Sequence, residues 1–289
     1  MGVFSRLLPS ITSAYALQTL LGAIFVPLAS EKYYDLSGAL GFLSTTAISL
    51  YYPSLRAKYW LRLPGATLPP IGSFAARQLV LSAALGVWTV RLGSYLAARA
   101  IKAGGDSRFD EVKHQPARFA FFWFAQATWI TLVGLPVYLV NTLPAAHHPP
   151  LGRLDYVSLG FLFSSFALEV IADRQKSHWR ARKDRKEHEE KFITSGLWDW
   201  SRHPNYLGEI GIWTSIWALS SSSIIHSPYF PRGTWMLAGL SPVVTYLLLR
   251  YVSGVPPLEK AGDKKFGNDA KWVEYKRTVP VLFPFGPKE

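Results

Sequence analysis

The chain has 289 residues, 49% of them hydrophobic, with a formal charge of +12 and no cysteine. The lack of cysteine excludes disulfides, thiolate zinc sites and a catalytic thiol. The basic residues stand between apolar runs long enough to cross a bilayer, which argues against a nucleic-acid patch and for membrane-flanking loops or an anionic ligand.

Arg6 followed by the apolar run Ile11–Leu28 has the outline of a signal sequence, with small residues at Ala29-Ser30. The run is long for that role and other spans follow it, so it reads as a first transmembrane helix. A second covers Ser37–Tyr52. Pro53–Ser73, with Arg56, Lys58, Arg62 and three prolines, reads as a loop. A third span, Phe74–Ala98, carries Arg91, which must face the protein interior or snorkel. The loop Arg99–Gln115 contains Gly104-Gly105-Asp106 and Arg108, and a fourth span covers Ala117–Val140. His147 and His148 follow. Adjacent histidines do not share a helix face and only Asp155 stands near, so no metal site is expected.

The fifth span, Tyr156–Ala172, runs on with helical pattern to Lys191; the sixth covers Asn205–Ser220 and the seventh Thr234–Val252. The expected fold is all-α, a polytopic membrane protein of about seven transmembrane helices. Residues 1–150 supply the N-terminal helices and 151–289 a C-terminal unit. Lys32, the Arg99–Arg118 and Arg174–Arg202 clusters and the tail lysines fall on one side of these spans. Arg6, the Arg56–Arg77 loop, Arg153 and Arg232 fall on the other. The positive-inside rule then puts the carboxyl terminus in the cytosol.

The polar residues that break the pattern converge on that cytosolic side. Ser195–Trp213 is a basic, aromatic loop that turns into an apolar helix at Pro204, a residue suited to a first helical position. Glu209 stands in that helix, where a carboxylate is costly and marks a functional site by default. Asn205, Glu209 and Trp213 share one helix face at i, i+4 and i+8. Asp173, Lys176 and Arg180 share another at i, i+3 and i+7. Arg202, His203 and Arg250 join them, and the arginines and lysine of this set suit a polyphosphate, which guanidinium groups bind bidentately. The run Arg182–Lys186 equally suits a face turned to solvent or lipid headgroups. No G-x-G-x-x-G or Walker lysine loop is present, so a nucleotide would bind through helix ends and loops.

The segment Asp173–Pro284 resembles the C-terminal domain of the steroid 5-alpha-reductase family, in a branch of unassigned function. The resemblance rests on Asp173–Lys176, Gly196–Glu209, Arg250, Ser253–Glu259 with an extra proline at Pro257, and Trp272–Pro284. Weaker likeness reaches Arg91-Leu92, Arg99, Asp106, Arg108 and Gln126 to Pro136; the first 85 or so residues match only as hydrophobic spans. The resemblance implies a membrane fold that binds NADPH and reduces an activated carbon–carbon double bond in a sterol or similar lipid. It implies dinucleotide contacts from Asp173, Lys176, Arg180, Arg202, His203, Asn205, Tyr206, Glu209, Trp213 and Arg250. Asn205 and Glu209 would hold the nicotinamide amide, which needs both a donor and an acceptor. In the characterised steroid reductases a Glu and a Tyr from the early helices donate the proton. Here the early spans offer Tyr15, Tyr51, Tyr52 and Tyr95 but no glutamate, which puts a 3-oxo-steroid substrate in doubt. Tyr95 is the choice for this role, because its span also bears Arg91.

The R-H-P-x-Y-x-G pattern is shared with membrane methyltransferases of the isoprenylcysteine and phospholipid type, where it helps bind S-adenosylmethionine. Glu209 after the glycine and the Asp173-x-x-Lys176 start favour the reductase, and S-adenosylmethionine has no phosphates to explain the cations. A non-enzymatic lipid-binding role is the remaining alternative. Membrane lipids are expected partners, nucleic acid is not, and the endoplasmic reticulum membrane is the expected location.

Overall fold

A computed structural model describes residues 3–103 and 109–288, with the backbone alone at residues 3, 97 and 99–103. Asp106 and Arg108 lie outside the described residues, as does the side chain of Arg99. Among the described residues the regular structure is entirely helical. Four helices are long and apolar enough to cross a membrane, or five if one bent pair is a single span. They begin with α1 (Val3–Phe25) and α3 (Ala76–Ala103). The bent pair is α4 (Pro116–Val133) with α5 (Leu135–Asn141), kinked by 57° next to Pro136. Then come α6 (Arg153–Asp184) and the stretch Thr234–Phe266. The latter contains α8 (Thr234–Ala238), α9 (Leu240–Leu247), a π-helical turn Leu248–Val252 and α10 (Val255–Phe266). Two further helices, α2 (Tyr34–Leu55) and α7 (Pro204–Ile225), have 22 residues each but are diluted by serines, threonines and glycines. The short α11 (Ala270–Thr278) precedes the tail, and the Asp269 side chain caps it by accepting from the Lys271 N–H.

The helical pattern from Asp173 does not continue to Lys191. The helix stops at Asp184, and Lys186 takes a left-handed backbone, φ 59°. Arg182 and Arg185 both pair with Glu187, so the charges expected to run along a helix instead fold the chain over its own end.

The chain forms two compact units, and the division runs through helices rather than through a linker. The first comprises Met1–Asp155 and Ile216–Ser241. In it α1 packs on α2 and α4, and α2 on α3. Its interior is tied by amides as well as apolar groups. Gln126 donates to Gln18 Oε1 at 3.0 Å and to Ser37 Oγ at 2.8 Å, while Gln18 donates to the Ser37 carbonyl at 2.9 Å. Such amide hydrogen bonds hold apolar helices in register where apolar contacts alone discriminate poorly. At one end of this unit, Arg77 and Asp155 form a buried ion pair at 2.5 Å, with side chains 1% and 3% exposed. Arg77 also donates to the Pro149 carbonyl and to Ser223 Oγ, and Asp155 accepts from Gly152 N–H and Ser222 Oγ. His148 bonds to Ser223, and His147 to Tyr229. No group of three or more possible metal ligands occurs among the described residues.

The second unit comprises Tyr156–Ser215 and Pro242–Glu289. Here α6 and α7 cross at small residues. A Cβ on Gly208 would lie 2.8 Å from the Glu169 backbone nitrogen and from the Ser165 carbonyl, and one on Gly211 would meet the Ser165 side chain. Only glycine permits this approach, which brings the Glu209 turn against α6.

Candidate functional site

The loop before α7 is docked onto α6 at Leu197 and Trp198. Gly196 adopts φ 67°, a conformation other residues rarely take, and its neighbour Leu197 donates its N–H to Gln175 Oε1 at 3.0 Å. Trp198 Nε1 donates to the Ala172 carbonyl at 3.1 Å, and Lys176 Nζ sits 4.3 Å above the Trp198 ring. Tyr275 of α11 donates to the Trp198 carbonyl at 2.6 Å. Residues of the Asp173–Lys176 and Gly196–Trp198 segments are thereby in direct contact, although they are far apart in sequence.

The next residues converge on Glu259 of α10. His203 Nε2 donates to Glu259 Oε1 at 2.9 Å, Arg202 Nε lies 3.4 Å from the same oxygen, and Lys276 Nζ lies 3.6 Å from Oε2. Arg202 also holds the tail, through its N–H to the Pro280 carbonyl at 2.9 Å and its guanidinium to the Lys276 carbonyl at 3.0 Å. Arg202 and His203 are each 4% exposed. Because Nε2 donates to the carboxylate, Nδ1 of a neutral His203 is an acceptor, and it is buried without a hydrogen-bond partner. The imidazole stacks on Tyr206, with centroids 5.4 Å apart and planes 7° from parallel.

Burial pushes the pKa of His203 below its ordinary 6.5, more than the bond to Glu259 raises it. Above its ordinary value the ring is neutral in both folded and unfolded chains. As pH falls through 6.5 the unfolded chain takes up the proton first, so the stability contribution declines and is lost as pH passes the folded value. We expect thermal stability to fall on acidification from neutral pH, and His203→Asn to flatten that slope; an unchanged slope in the variant would assign the effect elsewhere.

On α7, Trp213 Nε1 donates to Glu209 Oε1 at 2.9 Å. Trp213 is fully buried, whereas Asn205, Tyr206 and Glu209 are half-buried. On α6, Asp173 is buried, Lys176 half-buried and Arg180 exposed. Arg250 lies in the π-helical turn, half-buried and 5.1 Å over the Tyr251 ring. Such turns occur often at functional sites, because the extra residue re-aims the side chains around it. All ten expected cofactor residues thus belong to the second unit, while Tyr95, half-buried on α3, belongs to the first.

Two residues escaped the sequence reading. Glu259 is the hub of Arg202, His203 and Lys276, and only its place in the motif Ser253–Glu259 hinted at it. Glu169 is a buried acid in the apolar part of α6, 3% exposed and against Gly208 of α7. A carboxylate four residues before Asp173 in an apolar run was a legible signal.

The fold and this cluster define a helical protein with several helices long and apolar enough to cross a membrane, and a constellation of basic and aromatic residues in its C-terminal part. The chain belongs to the family described as "Protein of unknown function (DUF1295)", which matches residues 66–279. It is also similar to "Uncharacterized protein C594.04c" of Schizosaccharomyces pombe, 26% identical over 224 residues. That match covers 68% of this chain and 64% of the relative, so the chain spans under two-thirds of that protein's length. No solved structure matches it.

Proposed function

We propose that this chain is a membrane-bound, NADPH-dependent reductase of an activated carbon–carbon double bond in a sterol or other lipid, related to the steroid 5-alpha-reductases. The observation that carries the reading is the Asn205–Glu209 pair. The two stand one turn apart on α7, both half-buried, and the acid is fixed by Trp213. A donor-and-acceptor amide beside a held carboxylate matches a carboxamide, which itself offers a donor and an acceptor. Lys176, Arg180 and Arg250 supply cations for phosphates, and Tyr206 and Asp173 complete the binding set.

Arg202, His203 and Trp213 fit a position behind these residues. The guanidinium is taken up by Glu259 and the Lys276 carbonyl, and the indole is wholly enclosed. Arg202 then fixes the loop and tail, and Trp213 orients Glu209. When bound, NADPH supplies the hydride. Asn205 and Glu209 would hold its carboxamide, and the proposed proton donor to the substrate oxygen is Tyr95. In this reading α2 and α7 also cross the bilayer, giving seven spans in the endoplasmic reticulum membrane with a cytosolic carboxyl terminus.

Glu209→Gln tests the assignment, because it keeps the side chain's shape and removes its charge. NADPH affinity should fall roughly tenfold, the worth of a charge-assisted hydrogen bond. Arg250→Ala should weaken binding in a salt-dependent way. Unchanged affinity in the first variant would remove Glu209 from the site, and a salt-independent loss in the second would point to packing.

A further inference from the structure

A cavity of about 540 Å³ lies in the first unit, among the start of α1, the end of α2, the start of α3 and the residues after α5. Arg6 and Arg56 both line it, and no carboxylate is among its lining residues. Each arginine is half-buried. Arg6 donates to the Thr142 carbonyl at 3.1 Å, which uses one of the five N–H donors of a guanidinium. Two guanidinium groups lining one cavity raise the local potential and favour an anion in the space they share.

A second observation gives the anion's setting. The segment after α2, which lines part of the cavity, exposes apolar and aromatic side chains beside it: Tyr59 is 62% exposed, Trp60 83% and Ile71 68%. Leu61 both lines the cavity and is 45% exposed. Tryptophan and tyrosine beside basic residues at the ends of apolar helices is the arrangement found at headgroup depth in a bilayer. The volume exceeds what a bare inorganic ion needs and lies in the range of pockets that enclose an organic group.

We propose that this cavity binds the phosphate-bearing headgroup of an anionic phospholipid, with Arg6 and Arg56 as the phosphate ligands. The guanidinium forks match phosphate oxygens in pairs, and the Trp60 segment seats the cavity mouth against the lipid's glycerol and upper chain. Both arginines lie before residue 66, outside the segment that matches the family, so the site is separate from the cofactor reading.

The test uses the full-length protein in detergent, with short-chain phosphatidylglycerol, phosphatidylcholine of the same chains, and glycerol 3-phosphate as probes. Phosphatidylglycerol should raise the melting temperature and give a one-to-one adduct in native mass spectrometry. Phosphatidylcholine and glycerol 3-phosphate should each bind at least tenfold more weakly. Arg6→Gln/Arg56→Gln should abolish the preference, and Ser54→Glu, which adds a negative charge to the wall, should weaken binding while leaving the unliganded melting temperature unchanged. Should the arginine variant fail to fold, Ser54→Glu alone decides the matter. Undiminished phosphatidylglycerol binding in either folded variant overturns the site. Equal binding of glycerol 3-phosphate overturns the lipid source in favour of a soluble phosphate ester, and equal binding of phosphatidylcholine overturns the selection for anionic lipid.

Discussion

Asp155→Ala should destabilise the protein by about 3–5 kcal/mol, the range for removing one partner of a buried ion pair. The cost falls on Arg77, which is 1% exposed and would keep its charge with only the Pro149 and Pro150 carbonyls and Ser223 as partners. The same carboxylate caps the start of α6 through Gly152 N–H and holds Ser222 near the end of α7, so its loss frees three segments at once. Arg77→Met/Asp155→Leu should be milder than either single change, because no charge is left buried and the space stays filled. Ser222→Ala should cost about 1 kcal/mol, one neutral-to-charged hydrogen bond at the periphery. Denaturation in a fixed detergent ranks the three. A single variant no less stable than the double would show that Arg77 finds other compensation.

Glu259→Ala should have the second-largest effect, about 3 kcal/mol, because it strips the acceptor from a buried guanidinium and from His203 together. Arg202 would retain the Lys276 carbonyl, which limits the loss. The consequence should be local as well as global. The tail is tied to the loop through Arg202 to Pro280 and through Tyr275 to Trp198, so residues beyond Lys276 should become the first site of limited proteolysis. Glu259→Gln keeps an acceptor for His203 and should lose about half as much. A wild-type digestion pattern for Glu259→Ala would show that the tail is held without this hub.

What was readable in the sequence was what depends on neighbouring residues. The start of α7 follows from Pro204, and the shared face of Asn205 and Glu209 from helical spacing. Spacing alone does not tell which members of a face are covered. Trp213 sits at i+8 from Asn205 yet is wholly buried, because α7 packs along its length and the indole turns to Glu209. The end of α6 is not legible locally, because a charged run has high helix propensity, and what stops the helix is a left-handed residue and the pairing of two arginines with Glu187. Arg77 and Asp155 were both visible as loop charges. Their pairing was not, since 78 residues separate them and nothing local marks one for the other. The Glu259 hub stayed hidden for the same reason, with 56 residues between it and His203.

The most direct test of the reductase reading is the thermal stability of the purified protein against NADPH and S-adenosylmethionine in parallel. A ligand that binds the folded chain alone at a hundred times its Kd stabilises it by about 2.7 kcal/mol. NADPH should raise the melting temperature in a saturable way, with the increase lost in Glu209→Gln, and S-adenosylmethionine should leave it unchanged. A shift with S-adenosylmethionine but not NADPH would contradict the reductase in favour of a methyltransferase, and no shift with either would contradict both.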